Sequence, residues 1–342
     1  MKYKLLGKTG LRVSELSLGT MTFGEEWGWG ASKEESKRIF DAYAGAGGNF
    51  LDTANRYTEG TSERYLGEFI AGDRDHFVVA TKYSLLDRRG DPNFAGNHRK
   101  NMMRSIEGSL KRLGTDHIDL FYLHAWDFLT PLEEVLRGID DLVRAGKILY
   151  AGISDTPAWI VSQANAIADL RGWTRFNALQ IEYSLLQRTV ERDLMPMAKS
   201  MDIAVTAWAA LAGGALTGKY LEANDDPKRL AEGSSRLDER SRRITQAVVQ
   251  VGLEHGCSPA QAAINWVRQK SQVVIPIIGA RKASQMEDCL GCLQHPLPDA
   301  AIDRLDGASA IELGFPHEFL RGSVVSALLF SDQKELIDNH RI

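Results

Sequence analysis

Eight short apolar runs, each separated from the next by a stretch of helical periodicity, set the strongest limit on how this chain can fold. The runs lie near residues 16–19, 49–52, 77–81, 118–123, 147–152, 177–181, 203–207 and 273–277. The periodic stretches lie near 33–46, 61–71, 98–113, 131–145, 157–170, 189–200 and 259–269. A strand followed by an amphipathic helix, about eight times over, is the count of a closed parallel barrel, so the expected fold is α/β, a (β/α)8 TIM barrel. Helix-start signals agree: Thr130-Pro131, Thr156-Pro157 and Ser258-Pro259 each pair a capping residue with a first-turn proline. Ahead of the first run, Tyr3 to Leu16 alternates and turns at Lys8-Thr9-Gly10, which predicts a β-hairpin. No low-complexity or proline-rich linker interrupts the chain, so residues 1–342 read as one domain with a C-terminal extension from about residue 298. Two polar, irregular stretches, Asp87 to Asn97 and Ala223 to Arg243, read as loops on the barrel mouth.

Ionisable residues stand where three of the apolar runs hand over to loops. Asp52 and Tyr57 follow the run that begins at Asn49, Lys82 follows Phe77 to Thr81, and His124 follows Ile118 to Leu123. In a (β/α)8 barrel such strand ends converge on one mouth, where chemistry is done. A phenol with an ordinary pKa of about 10 is a poor acid at neutral pH; an ammonium beside it favours the phenolate, and a carboxylate beside the ammonium keeps that cation charged. An imidazole that donates to a carbonyl oxygen would join the phenol in stabilising an alkoxide. The four residue types together suit reduction of a carbonyl group.

Asp52, Tyr57, Lys82 and His124 resemble, in spacing and in strand, the tetrad of the aldo-keto reductase superfamily. The resemblance covers nearly the whole chain. It extends to Leu18-Gly-Thr20, Gly152-Ile-Ser-Asp155, Gln180-Ile-Glu-Tyr183, Thr206-Ala-Trp208, Leu211-Ala-Gly-Gly214 and Ile278-Gly-Ala-Arg281. The chain is similar to bacterial NADP-dependent reductases and to the branch that includes the potassium-channel β-subunits. What this implies is a hairpin plugging the bottom of the barrel, Tyr57 as proton donor tuned by Lys82 and Asp52, and His124 polarising the carbonyl. It also implies a nicotinamide cofactor held without a Rossmann motif, and no G-x-G-x-x-G follows a strand here.

By the same resemblance Ser154, Asp155 and Gln180 would hold the nicotinamide carboxamide and Trp208 would stack on its ring. Leu211 to Gly214, Gly213 included, would wrap the pyrophosphate with Lys219. Gly279, Arg281 and Gln285 would take the adenosine phosphate end, and Thr20, Met21 and Asp52 complete the set. Phosphate sites in such barrels form around the last strands, and the forked donor of Arg281 suits a phosphate ester, which favours NADPH/NADP+ over the unphosphorylated form. Two positions depart from the family pattern. Asp155 stands where asparagine is usual, losing an amide donor, and Cys289 replaces an asparagine near the adenine, with Asp288 as a neighbour able to compensate.

The loops after the first and fourth barrel strands are aromatic: Phe23, Trp27 and Trp29, then Trp126 and Phe128, with Phe315 in the C-terminal segment. As walls of a substrate pocket these favour apolar or aromatic carbonyl compounds over small charged ones; as packing residues some would only seal the barrel. The direction of reaction stays open, so an NADP-dependent alcohol dehydrogenase is a close variant. A nucleotide-sensing regulatory subunit is the alternative from another class.

Composition narrows the partners. With 44% hydrophobic residues, 25% charged residues and a net charge of −4, the chain has no basic excess to suggest nucleic acid or membrane. No apolar run is long enough for a signal or a membrane span, which makes the cytoplasm the expected location. Three cysteines form no disulfide framework. Cys289 and Cys292 read as two positions on one helix face rather than a redox or metal pair, because no second pair accompanies them and only His295 is near. No metal is expected, a metal-dependent hydrolase lacks ligands beyond His124 at the strand ends, and the oligomeric state stays open.

Overall fold

The computed structural model describes residues 1–221, 230–231, 233–271 and 273–339. A hairpin of β1 (Tyr3–Leu5) and β2 (Arg12–Ser14) comes first. The strands β3 (Ser17–Gly19), β4 (Phe50–Asp52), β5 (Val78–Tyr83), β6 (Ile118–Leu123), β7 (Ile148–Ser154), β8 (Phe176–Glu182), β9 (Ala204–Trp208) and β10 (Val274–Ile278) follow. These eight pair in parallel in the order β10-β3-β4-β5-β6-β7-β8-β9 and close into a barrel, as the eight apolar runs predict. β5 and β6 are buried at every position, which is why they read as continuous apolar runs and not as alternating ones.

The helices are α1 (Lys33–Gly45), α2 (Thr61–Ile70), α3 (Arg99–Leu113), α4 (Leu132–Arg144), α5 (Ala158–Arg171), α6 (Leu194–Ser200), α7 (Glu239–Glu254), α8 (Pro259–Lys270), α9 (Ala283–Gly291), α10 (Asp299–Ala308), α11 (His317–Arg321) and α12 (Ser323–Phe330). Most of the larger core lies between this ring and the outer faces of the strands. A second, smaller core fills the barrel bore, where Phe50, Val78, Leu120, Ala178, Ala204 and Ile275 from six strands meet Leu6 and Val13 of the hairpin. The hairpin is thus the plug that the resemblance implies. At its turn Gly7 has φ +52°, and a Cβ there would come within 2.5 Å of the Asn177 carbonyl oxygen, so only glycine fits.

Three expectations need correction. Ser258 caps α8 in a reciprocal capping box with Gln261, but Thr130 and Thr156 cap nothing. Pro131 and Pro157 occupy the cap positions themselves, and the threonine hydroxyls donate to Asp127 Oδ2 and the Ser154 carbonyl, each at 2.8 Å. The stretch 223–243 is not all loop. Its last residues begin α7, capped by Asp238, whose carboxylate accepts from the Ser241 amide at 2.7 Å; residues 222–229 and 232 lie outside the described residues. The stretch 189–200 splits into a single 3-10 turn and the short α6.

Candidate active site

The four strand-end residues meet at one end of the barrel. Lys82, at the end of β5, is fully buried, and its three ammonium protons go to three acceptors: Asp52 Oδ1 at 2.7 Å, the Thr53 carbonyl at 2.8 Å and Tyr57 Oη at 3.2 Å. Asp52, at the end of β4, also accepts from Gln180 Nε2 at 2.8 Å, so both carboxylate oxygens are engaged. Tyr57 opens a 3-10 turn after β4, in which Thr58 and Glu59 take left-handed backbone, with φ of 44° and 53°. The Thr58 hydroxyl anchors that turn by donating to the Phe23 carbonyl and accepting from the Ser62 amide. Strained backbone held by side-chain bonds fixes where the phenol points. His124 stands edge-on to Tyr57, ring centroids 5.9 Å apart.

Burial sets the protonation states. It pushes the His124 imidazole down to about 3, with Lys82 adding to the effect, so the ring is neutral. Its Nδ1 is buried without a hydrogen-bond partner. For Tyr57 burial also dominates: it raises the phenol above its usual value although Lys82 pulls the other way, and Asp52 adds to the rise. The expected net shift toward phenolate is therefore reversed, and the hydroxyl keeps its proton. Burial works against the Lys82 ammonium, yet Asp52 and Tyr57 outweigh it and hold that group above its ordinary range.

Asp52, Tyr57 and His124 face a cavity of about 770 Å³, and Lys82 lies buried behind them. Met21, Asp52, Asp155, Gln180, Trp208, Leu211, Gly213, Lys219, Gly279, Arg281, Gln285, Asp288 and Cys289 all line it, together with Tyr57 and His124. Thr20 and Ser154 do not. The Thr20 hydroxyl is spent on the Asp52 carbonyl and Ser62, and Ser154 Oγ is buried with no partner. Asp155, in left-handed backbone at φ 43°, accepts from the Trp208 indole nitrogen at 3.1 Å, and burial raises its carboxyl. Backbone passes close at Gly279, where a Cβ would lie 3.2 Å from the Gly19 carbonyl oxygen. Cys289 and Cys292 are free, buried thiols at the end of α9, and burial pushes Cys292 up to about 12. Among the described residues no group of three or more His, Cys, Asp or Glu is placed to hold a metal ion.

The aromatic wall is smaller than expected. Of the six rings proposed for it, only Trp27 borders the cavity. Phe23 is fully buried in the core against Phe69, Trp29 sits against Trp27, and Trp126 packs onto the core. Phe128 and Phe315 are 67% and 83% exposed. Loop paths decide these positions, and composition does not reveal them. Sequence reasoning in turn missed Arg56, Leu85, Thr22 and Arg236, all of which line the cavity. Arg56 carried a signal in its place beside Tyr57. Arg236 lay in the irregular stretch assigned to the mouth, where it pairs with Glu182 at the end of β8.

A parallel barrel that gathers a phenol, an ammonium, a carboxylate and an imidazole at the strand ends marks the class of nicotinamide-dependent oxidoreductases acting on carbonyl and alcohol groups. Comparison with known proteins agrees: residues 15–310 match the aldo/keto reductase family. The chain belongs to that family. It is 39% identical over 321 residues to a norsolorinic acid reductase of Emericella nidulans, covering 91% of this chain and 82% of that protein. It is 37% identical over 329 residues to an aryl-alcohol dehydrogenase [NADP(+)] of Phanerodontia chrysosporium, covering 90% and 86%. A putative aryl-alcohol dehydrogenase of Saccharomyces cerevisiae is 35% identical over 336 residues, covering 93% and 89%. Among the described residues no helix is long and apolar enough to cross a membrane.

Proposed function

We propose that the protein, as one barrel domain in the cytoplasm, reduces apolar or aromatic aldehydes and ketones with NADPH, and runs in reverse as an NADP-dependent alcohol dehydrogenase. One observation carries this reading: all three protons of Lys82 are committed, one of them to Tyr57 Oη, at the floor of a cavity of about 770 Å³. Because Tyr57 accepts from Lys82, its own proton is left to point at a ligand. The phenol is then a general acid for an oxygen that gains negative charge, an effect worth roughly 10²- to 10⁴-fold in rate. With Nδ1 of His124 buried and unpartnered, the favoured neutral tautomer carries its proton on Nε2, which donates to the same oxygen. Lys82, raised by Asp52 and Tyr57, stays cationic and stabilises the phenolate left after proton transfer.

The cavity chemistry fits a phosphorylated dinucleotide. Lys219 and Arg281 supply cations, and Gly213, Gly214 and Gly279 allow close backbone approach. Gln180 and Asp155 line the cavity where a carboxamide would sit, and Asp155 accepts where asparagine would donate. Bound NADPH supplies the hydride. The relatives named for aryl alcohols and for NADP(+) support both the cofactor and the aromatic substrate class.

The test is a titration of the purified protein with NADPH and separately with NADH, followed by NADPH oxidation with an aromatic aldehyde such as 4-nitrobenzaldehyde. Tighter binding of NADPH with turnover is expected. Binding without turnover across a broad carbonyl panel would overturn the reading.

A further inference from the structure

We infer that Arg56 recognises an anionic group on the substrate, a carboxylate or ionised phenol borne by the aromatic ring that carries the reacting carbonyl. The inference rests on the carbonyl-reducing reading of this cavity and narrows its substrate class. Arg56 directly precedes Tyr57, lines the cavity and is 17% exposed. Its guanidinium carbon lies 5.6 Å from the centroid of the Trp27 ring, which stands edge-on to Tyr57 at 6.5 Å. Cation, flat indole and proton donor thus form one continuous wall.

Glu59 engages only one end of the guanidinium. The single acidic partner of Arg56 among the described residues is Glu59, which pairs with Nη1 alone, and that nitrogen is shut off from solvent. Glu59 does not line the cavity; its side chain is 53% exposed and also accepts from the Trp27 indole nitrogen at 3.3 Å, so it engages the guanidinium from the side away from the cavity lining. A guanidinium has five N–H donors in a rigid fork, so pairing with one carboxylate through Nη1 leaves the other donors for a ligand. Lys82, the other cation beside Tyr57, has no proton to spare. An aromatic substrate lying along Trp27 with its carbonyl at Tyr57 and His124 therefore brings its remaining substituent to Arg56. There an anion makes charge-assisted bonds and a cationic substituent is repelled.

The experiment compares 4-carboxybenzaldehyde with its neutral isostere methyl 4-formylbenzoate in the wild type, Arg56→Gln and Arg56→Lys, reading the acid-to-ester ratio of kcat/KM. Binding of 4-(hydroxymethyl)benzoate, a product that needs no turnover, and of NADPH are measured by calorimetry on the same proteins. The ratio is expected to fall roughly ten-fold or more in Arg56→Gln, mainly through KM, with partial recovery in Arg56→Lys and parallel loss of benzoate affinity. A ratio and a benzoate affinity within two-fold of wild type would overturn the inference. So would a loss of NADPH affinity in Arg56→Gln as large as the loss for the acid, which would assign the arginine to the dinucleotide. If the wild type reduces neither aldehyde, the carbonyl-reducing reading fails, and the benzoate titration still decides the anion site.

Discussion

Lys82 has three protons and three acceptors for them, and that arithmetic fixes the direction in which Tyr57 can act. The phenol, raised above its ordinary range by burial, must be protonated to serve as the acid in reduction, so activity is lost only as pH climbs past that raised value. His124, pushed down to about 3, is neutral across the working range. The pH profile of kcat/KM for reduction is therefore expected to be flat from about pH 5 to pH 9. An inflection near pH 6.5 that vanishes in His124→Gln would show a charged imidazole and contradict this. At the far end of the cavity, Arg281→Ala should lower the preference for NADPH over NADH by about ten- to a hundred-fold, the scale of one or two charge-assisted bonds to a phosphate. Equilibrium titrations with both nucleotides would measure it, and an unchanged ratio would place the phosphate elsewhere. Individual residues were legible where they stood at strand ends, because the barrel brings every such end to one mouth. Phe128 and Phe315 were not legible as exposed surface, because their positions depend on loop paths that no periodicity encodes.

At the scale of elements, the hairpin plug and the catalytic mouth sit at opposite ends of the strands, so they should respond separately to mutation. Leu6 is fully buried in the bore against the first residues of several strands. Leu6→Ala should cost about 2–5 kcal/mol of stability by emptying that space. Denaturant midpoints read the loss, while kcat/KM at a permissive temperature should stay within about two-fold; a large fall in kcat/KM with unchanged stability would tie the plug to the site. The barrel strands and the helices α1 to α5 and α8 were legible from periodicity, whereas α7 and α9 to α12 were not. The exceptions have physical causes. Proline at φ −56° served as the helix boundary itself, displacing the threonine expected to cap. α7 begins with a highly charged turn that resembles loop, although Ile244, Val248 and Val251 carry its buried stripe.

Across the whole molecule, the closed sheet converts residues scattered from position 19 to position 289 into one lined cavity, with the proton donor at the barrel mouth and the cation Arg281 beside β10. The account places the chemistry at Tyr57 and the dinucleotide on other side chains, which makes the two separable. The most direct measurement is turnover and NADPH affinity of Tyr57→Phe, side by side with wild type. The predicted result is a fall in kcat of roughly 10²- to 10⁴-fold, with NADPH affinity kept within about three-fold. Turnover at the wild-type rate would contradict the central claim, and Tyr57 would then be a packing residue beside a site whose acid lies elsewhere.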